Sequence, residues 1–320
     1  MYFKITNQEE CHHGYQYKNG LNILDKPFEK EGSCVRGGLY FTTLEHIDKF
    51  YNYGVWLRVI IIPDDAQMVQ DPHRDKWRAD KIILGEKYPL YNIETIKKFN
   101  LIVDEEFICC ASKFGQTYFL EYWLKHCKES GLEFKYTHYV IDWASEQGQI
   151  EVLEWWLKQY KESGLKFKYT SNAIDWASGR GYIEVLDWWK KSGLKLKYTV
   201  FAIELASEVK VLDWWKQSGL ELKYTSNAID WTSRRDKIEV LEWWKNSGLE
   251  LRYSYEAIDW ASHRGEIEVL EWWKCSGLEL KYSYGAIDWA SHRGEIEVLE
   301  WWKNSGLELK HTEKIDWSKY

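Results

Sequence analysis

The side chains most suited to metal or redox chemistry are the six cysteines and nine histidines. No Cys-x-x-Cys pair occurs, and Cys109 and Cys110 are adjacent, which suits neither zinc ligation nor an ordinary disulfide. His263 and His292 recur 29 residues apart and could share a metal, but neither has a Cys, His or Asp partner at ligand spacing. No Ser-His-Asp, phosphate-loop or zinc pattern is present. These patterns predict reduced thiols, no bound metal and no catalytic set.

Charge and hydropathy exclude two further classes of protein. The net charge is −7 with a pI near 5.8, whereas a nucleic-acid binder normally carries a basic surplus. The mean hydropathy is −0.55 and no apolar run is long enough to span a membrane. The first seven residues show neither a signal-peptide core nor a myristoylation glycine. We therefore expect a soluble, intracellular protein in a reducing compartment, without nucleic-acid or membrane partners.

The secondary-structure elements that position any functional residue are expected to differ between two parts of the chain, because the amino-acid composition changes. All four prolines lie in the first ninety residues, while 19 of the 21 tryptophans follow residue 106. Such a shift predicts a mixed α/β head domain at 1–95, a linker at 96–106 and a second region at 107–320. Within the head, residues 56–62 and 81–84 are typical of strands, and 44–53 of a helix.

The second region is a tandem repeat. The isoleucine that opens each Ile-Asp-Trp-Ala-Ser block, or its variant, recurs in steps of 33, 33, 29, 26, 29, 29 and 28 residues. These isoleucines are residues 108, 141, 174, 203, 229, 258, 287 and 315. The pattern predicts seven repeats of a basic 29-residue unit and a partial eighth.

Each unit has the pattern of helix, turn, helix and loop. In the sixth, Ile258 and Ala261 share one face of a short helix, and residues 263–265 break it. A second helix then carries Ile267, Leu270 and Trp273 along one stripe. A Trp at the same position of every unit is typical of a core, although stacking of sugars or single-stranded bases is an alternative. We predict an α+β protein whose second region is an all-α helical-hairpin solenoid.

The unit resembles an ankyrin repeat. Residues 257–262, Ala-Ile-Asp-Trp-Ala-Ser, stand where that family has Thr-Pro-Leu-His-x-Ala-Ala, and residues 265–277 match its Gly-led second helix. Asp replaces the family's His, the Thr-Pro turn is missing, and most units are shortened from 33 to 29 residues. The resemblance implies protein–protein interaction through a concave surface, with short or absent β-hairpin fingers.

The Asp-Trp-Ala variant with its aromatic second helix is similar to ankyrin proteins of giant amoebal viruses. The head resembles the N-terminal domain of mimivirus-type members at 3–7, 38–42 and 76–84. This resemblance implies an unknown host or viral protein partner, in host cytoplasm or virion.

Differences between the repeats indicate where a partner would bind. Sequence variation between repeats concentrates at the residues just before each Ala-Ile pair and in the turn between the two helices of a repeat. Exposed aromatic and Arg residues at these positions suit binding hot spots. The alternative is drift at solvated positions. The candidate partner-binding residues are Tyr139, Asn172, Phe201, Asn227, Tyr255, Tyr284, Arg180, Arg235, Arg264 and Arg293.

The head also loosely resembles the ADP-ribosyltransferase core, in His13-Gly14, Gly20, residues 37–41 and a helix carrying Tyr51. By this resemblance, His13, Tyr40 and Tyr51 would contact NAD. The family's catalytic Glu has no clear match; Asp80 falls near the expected strand. We therefore expect no enzyme activity and no cofactor, and retain an NAD-binding head targeted by the repeats as the alternative.

Overall fold

A computed structural model describes residues 1–312 and 315–319 of the chain. The chain forms two compact units, Met1–Tyr169 and Thr170–Tyr320. A region of strands precedes a region of paired helices, so the predicted α+β class is confirmed. The predicted division into 1–95, 96–106 and 107–320 follows repeat content and stays a prediction.

The head is built from short antiparallel strands. They are β1 (Tyr2–Thr6), β2 (Cys11–His12), β3 (Tyr15–Gln16), β4 (Gly20–Ile23), β5 (Leu39–Phe41), β6 (Trp56–Ile61), β7 (Met68–Gln70), β8 (Trp77–Ala79) and β9 (Lys81–Pro89). The largest sheet has the order β1-β6-β9-β4, a second has the order β5-β8-β7, and β2 pairs with β3. The two predicted strands are therefore confirmed, and the second extends to Pro89.

The register of these strands places alternate side chains in the head core. Phe3 lies opposite Val59, and Phe3 and Ile5 are buried while the intervening Lys4 lies on the other face. The backbone of Phe3 also exchanges hydrogen bonds with Thr42, which connects β1 to the end of β5. The predicted helix over 44–53 is a 3₁₀ helix, Leu44–Tyr53. It ends at Gly54, where a Cβ atom would lie 2.1 Å from the carbonyl oxygen of Thr6.

Across the described residues, helix α1 (Ile93–Phe99) is followed by the seven predicted helix pairs. The pairs are α2 (Glu105–Lys113) with α3 (Thr117–Ser130), α4 (Tyr139–Glu146) with α5 (Ile150–Ser163), α6 (Asn172–Gly179) with α7 (Ile183–Lys191), α8 (Phe201–Glu204) with α9 (Val209–Gln217), α10 (Asn227–Arg234) with α11 (Ile238–Asn246), α12 (Glu256–Arg264) with α13 (Ile267–Cys275), and α14 (Gly285–Arg293) with α15 (Ile296–Asn304). Of the partial eighth repeat, Trp317–Lys319 forms one 3₁₀ turn; Glu313, Lys314 and Tyr320 lie outside the described residues.

Local sequence explains where the helices of a pair begin and end. In the sixth repeat, α12 ends at Gly265, whose φ of 81° is the left-handed conformation that glycine adopts at low cost. Helix α13 has Glu268 in its first turn and Lys274 in its last, which complements the helix dipole. Gly277, also left-handed with φ 76°, follows its C-terminal turn.

The second tryptophan of each Trp-Trp pair belongs to the core, as predicted. These residues are Trp156, Trp189, Trp215, Trp244, Trp273 and Trp302, and all are fully buried. In the later repeats the first tryptophan of the pair is only half-buried. These buried tryptophans therefore pack the helices together, and the alternative of stacking bases or sugars is not needed to explain their regular positions.

Polar side chains join successive repeats at fixed intervals. The indole nitrogen of Trp273 donates to Ser233 Oγ at 3.1 Å, and Trp302 repeats this contact with Ser262 at 3.1 Å. The hydroxyl of Tyr253 donates to the carbonyl oxygen of Glu279 at 3.0 Å, and its ring packs 4.8 Å from that of Trp273. These neighbouring repeats of Thr170–Tyr320 thereby satisfy each other's buried polar groups.

Candidate functional site

The starts of four first helices, α8, α10, α12 and α14, are each fixed by an acid from the preceding repeat. Asp230 accepts the backbone N–H of Ser254 at 2.9 Å and its hydroxyl at 2.8 Å. The same hydroxyl accepts the N–H of Glu256 at 3.1 Å, as an N-cap does. Equivalent pairs are Asp175 with Thr199, Glu204 with Thr225, Asp259 with Ser283 and Asp288 with Thr312.

This bonding holds the variable residues before the Ala-Ile step at the exposed end of each first helix. Tyr255 and Tyr284 are 51% and 56% exposed there, and Phe201 is 46% exposed at the equivalent end of α8. Asn172 and Asn227 occupy the same end of α6 and α10 and are half-buried. The positions predicted to bind a partner therefore present side chains to solvent.

A row of aromatic and cationic side chains runs along the first helices of Thr170–Tyr320. Phe201 stacks on Trp231 with ring centroids 6.1 Å apart, and the guanidinium of Arg235 lies 5.7 Å from the Trp231 ring. The Arg234 guanidinium lies 4.4 Å from the ring of Trp260 in the next repeat.

The row continues into the last complete repeat. The rings of Trp260 and Trp289 are 5.5 Å apart, with the His263 ring 5.2 Å from the first and 6.0 Å from the second. We name Phe201, Trp231, Arg234, Arg235, Trp260, His263 and Trp289 the aromatic–arginine row.

Electrostatics keep the histidine of this row neutral. Partial burial, together with the charges of Arg293, Arg234 and Arg264, lowers the pKa of His263. Its Nδ1 is buried without a hydrogen-bond partner. His263 therefore contributes a neutral aromatic ring, and the cations of the row are its arginines. Among the residues that the structure describes, no three His, Cys, Asp or Glu side chains group to hold a metal ion.

The predicted binding residues separate into sets. Phe201 and Arg235 belong to the row. Arg264 and Arg293 are the exposed last residues of α12 and α14, 3.9 Å from Glu266 and 3.3 Å from Glu295 respectively.

Two further predicted residues belong to other first helices. Arg180 is exposed at the end of α6. Tyr139 belongs to the unit Met1–Tyr169, where it stacks 4.7 Å from Trp143.

Sequence reasoning missed Trp231, Trp260 and Trp289 as partly exposed residues, and it did not include Arg234 or His263 among the candidate binding residues although both lie beside the variable turns. Each of these tryptophans follows its isoleucine by two positions, so it cannot share that residue's buried helix face. This two-residue offset is the sequence signal that could have placed these tryptophans away from the buried face.

The head contains a separate cavity of about 630 Å³. His13 and Tyr40, two of the three residues given by the NAD resemblance, line it. Tyr51 does not: it is 1% exposed and packs edge-on against Phe107, with ring centroids 4.7 Å apart. The three predicted cofactor contacts are therefore not brought together in the cavity.

Comparison with known proteins identifies relatives of the chain. It is 41% identical to ankyrin repeat protein R868 of Acanthamoeba polyphaga mimivirus over 124 residues, covering 36% of this chain and 62% of that protein. It is 41% identical to ankyrin repeat protein R229 of the same virus, covering 30% and 36%. An uncharacterized mimivirus protein, R869, is 43% identical, covering 30% and 73%.

The chain thus spans less than two thirds of R868 and R229, its first relatives. No family model matches it. The similarity to these proteins supports the identification of the repeats as ankyrin-like. The resemblance of the head to an N-terminal viral domain stays a prediction. No helix within the described residues is long and apolar enough to cross a membrane.

Proposed function

The chain belongs to the giant-virus ankyrin-repeat proteins, and from this premise we propose that its repeats bind a protein partner through the aromatic–arginine row. Its ankyrin-repeat relatives suggest a protein-interaction module without enzyme activity. The partner is a host or viral protein, met in the host cell or in the virion. The observation that carries the proposal is a pair of contacts between first helices of successive repeats, Phe201 with Trp231 and Arg234 with Trp260.

The distribution of arginine supports this surface. Five of the six arginines after residue 170 lie at the end of a first helix or in the turn that follows it. They are Arg180, Arg234, Arg235, Arg264 and Arg293. The second helices present acids instead, such as Glu242 and Glu271. After residue 170, a chain of net charge −7 therefore concentrates its guanidinium groups at the ends of first helices.

The chemistry of the row specifies the partner. Aromatic and arginine side chains are enriched in binding hot spots because they bury much area and, for arginine, pair with carboxylates. We infer a protein segment that carries acidic side chains beside apolar ones. The acids would pair with Arg235 and Arg264, while the apolar groups cover Phe201 and Trp231.

The test compares captures from amoebal lysate by three full-length proteins. Arg235→Glu with Arg264→Glu reverses one exposed charge of the row and one exposed charge next to the row in the sequence of the following first helix. Lys191→Glu with Lys245→Glu is the matched control, because it makes the same charge change at exposed sites in or near the second helices. A nuclease-resistant protein retained by the wild type and by the control, but lost by the arginine variant, supports the proposal. Equal retention by all three, equal loss from both variants, or capture that nuclease abolishes, contradicts it.

A further inference from the structure

Lys4 places an ammonium group in the cavity of the head without a counter-charge. It lies on β1 between buried Phe3 and Ile5 and projects to the opposite face, into the cavity. Its Nζ donates to the carbonyl oxygen of Tyr40 at 2.8 Å and lies 4.6 Å from the ring centroid of Tyr17. Among the described residues, no carboxylate lies within ion-pairing distance of it.

An ammonium in this position is unfavourable in the free protein. Buried charges in folded proteins are normally paired, because desolvation penalises the charged form. Burial accordingly lowers the pKa of Lys4 to about 7. The group has three N–H donors, and the Tyr40 carbonyl accepts one of them. Two donors and the charge remain for a ligand.

Most of the other charges of the cavity have the same sign, and the Cys34 thiol, whose pKa a hydrogen bond from Lys76 lowers, lies beside that cation. Lys26, Arg36 and Lys76 line it, whereas Asp25 is its acidic lining residue. Asp25 lies 3.9 Å from Lys26, which offsets it. The cavity therefore presents an excess of positive charge to anything that enters.

Flat apolar surfaces make up much of the wall. Tyr15, Tyr17, Phe41 and Tyr53 line the cavity, and His12 lies beside them with its ring 6.2 Å from that of Tyr17. Burial, with the nearby charge of Lys4, lowers the pKa of His12 to about 4, so this ring is neutral near pH 7. A volume of about 630 Å³ lies in the usual range for a small-molecule site.

We propose that the head cavity binds a small organic anion, whose carboxylate or phosphate pairs with the Lys4 ammonium while a planar apolar body packs among Tyr15, Tyr17 and Tyr53. The site is independent of the aromatic–arginine row. It uses Lys4 and the aromatic wall, and Tyr51 takes no part in it. Because the anion supplies the missing counter-charge, the ligand and a proton on Lys4 bind together.

Titration calorimetry of the full chain tests this site with defined probes. 1-Naphthoate and 1-naphthyl phosphate distinguish a carboxylate from a phosphate ligand, and neutral 1-naphthamide is the control for apolar packing alone. We expect at least one anion to bind more tightly than the amide. The affinity of 1-naphthoate, which stays ionised throughout, falls as the pH rises, by up to about thirtyfold between about pH 6 and 8.5, because free Lys4 then loses its proton. The phosphate probe is compared with the amide at one pH, because its own second proton titrates at about pH 6. In two buffers of different ionisation enthalpy, the apparent heats reveal the proton taken up.

Two variants assign the effect to Lys4. Lys4→Met keeps the length of the side chain and removes the charge, so it abolishes both the preference for the anion and the pH dependence. Lys26→Met removes an exposed charge from the same cavity and keeps the pH dependence. Circular dichroism establishes that both variants fold. Equal binding of anions and amide, no binding of either anion, or a pH dependence of 1-naphthoate binding that survives in folded Lys4→Met, overturns the proposal.

Discussion

The carboxylate of Asp230 accepts both the backbone N–H and the hydroxyl of Ser254, although the two residues belong to successive repeats. Asp230 is 1% exposed, so water cannot replace these bonds. The aspartate that distinguishes this Ile-Asp-Trp-Ala-Ser motif therefore joins repeats, and its partner is the Ser or Thr that caps the next first helix.

Two replacements of Asp230 distinguish the contribution of its hydrogen bonds to stability from the contribution of its charge. Asp230→Ala leaves the buried N–H and hydroxyl of Ser254 without an acceptor, so we expect a loss of about 1–3 kcal/mol in the free energy of unfolding. Asp230→Asn keeps an oxygen for the N–H and gains an amide donor for the hydroxyl, so it should stay within about 1 kcal/mol of the wild type at neutral pH. Urea unfolding followed by tryptophan fluorescence measures both. A loss in the Asn variant as large as in the Ala variant would show that the charge itself is needed.

The pH dependence of folding stability tests how much the buried charge of Asp230 costs in free energy. Burial raises the pKa of the Asp230 carboxyl above its ordinary value of 3.8, despite the bonds from Ser254. A carboxyl whose pKa is raised in the folded state stabilises it while protonated, and this contribution disappears as the pH rises through the raised pKa. The wild type should therefore lose stability relative to Asp230→Asn as the pH rises above the ordinary carboxyl pKa of 3.8. A difference that moves in favour of the wild type over this range contradicts the prediction.

Adjacent tryptophans of one helix should differ sharply in their contribution to stability. Trp273 is 1% exposed and donates to Ser233, whereas Trp272 is half-buried and donates to the exposed Glu242. Trp273→Ala should cost about 3–5 kcal/mol by opening a cavity between repeats. Trp272→Ala should cost about 1–2 kcal/mol, because part of its ring is already in water. Thermal unfolding of the two variants at one concentration compares them, and equal losses would contradict the assigned burial.

The periodic positions of Ile258, Leu270 and Trp273 predict the helix pairs and their core because both depend on spacing within one repeat. The bond from Asp230 to Ser254 spans 24 residues and joins two repeats, so no helical period reveals it. The sheet of the head is harder still to predict from the sequence. Tyr2 pairs with Ile60, and pairing between such distant residues leaves no local sequence pattern. Tyr51 shows the limit of resemblance, since its position in the sequence fits a cofactor contact but its ring packs against Phe107.

Two exposed cysteines should differ in reactivity although both reach solvent. A hydrogen bond from the Lys76 ammonium, with Nζ 3.0 Å from Sγ, lowers the pKa of the Cys34 thiol. A hydrogen bond to Glu271 raises the pKa of Cys275 instead. Because the thiolate is the nucleophile, iodoacetamide near neutral pH should alkylate Cys34 first, and Lys76→Gln should slow it. Mass spectrometry of timed digests follows both sites, with Cys275 in the same variant as the internal control. Faster labelling of Cys275 would contradict the assigned contacts.

The fourth repeat, shortened by three residues, should open more readily than the fifth. Its first helix, α8, has four residues, whereas α10 has eight. Glu204 replaces the aspartate and bonds Thr225 through Oε1, while its Oε2 is buried without a partner. Few backbone bonds and an unsatisfied buried oxygen both lower the cost of local opening. Amide hydrogen exchange of the full chain should therefore be faster in α8 than in α10.

A longer fourth repeat provides the matched comparison. Replacing residues 207–210 with Ser-His-Arg-Gly-Glu-Ile-Glu from the sixth repeat restores the 29-residue step, and should slow exchange in the fourth repeat toward that of the fifth. Adding three residues to the loop after Gly193 is the control, because it lengthens the chain without extending α8. Exchange in α8 of the wild type as slow as in α10, or equal slowing by both insertions, would show that helix length does not set the local stability. In the expected case, the deletion makes the fourth repeat the point at which the stack of Thr170–Tyr320 first opens.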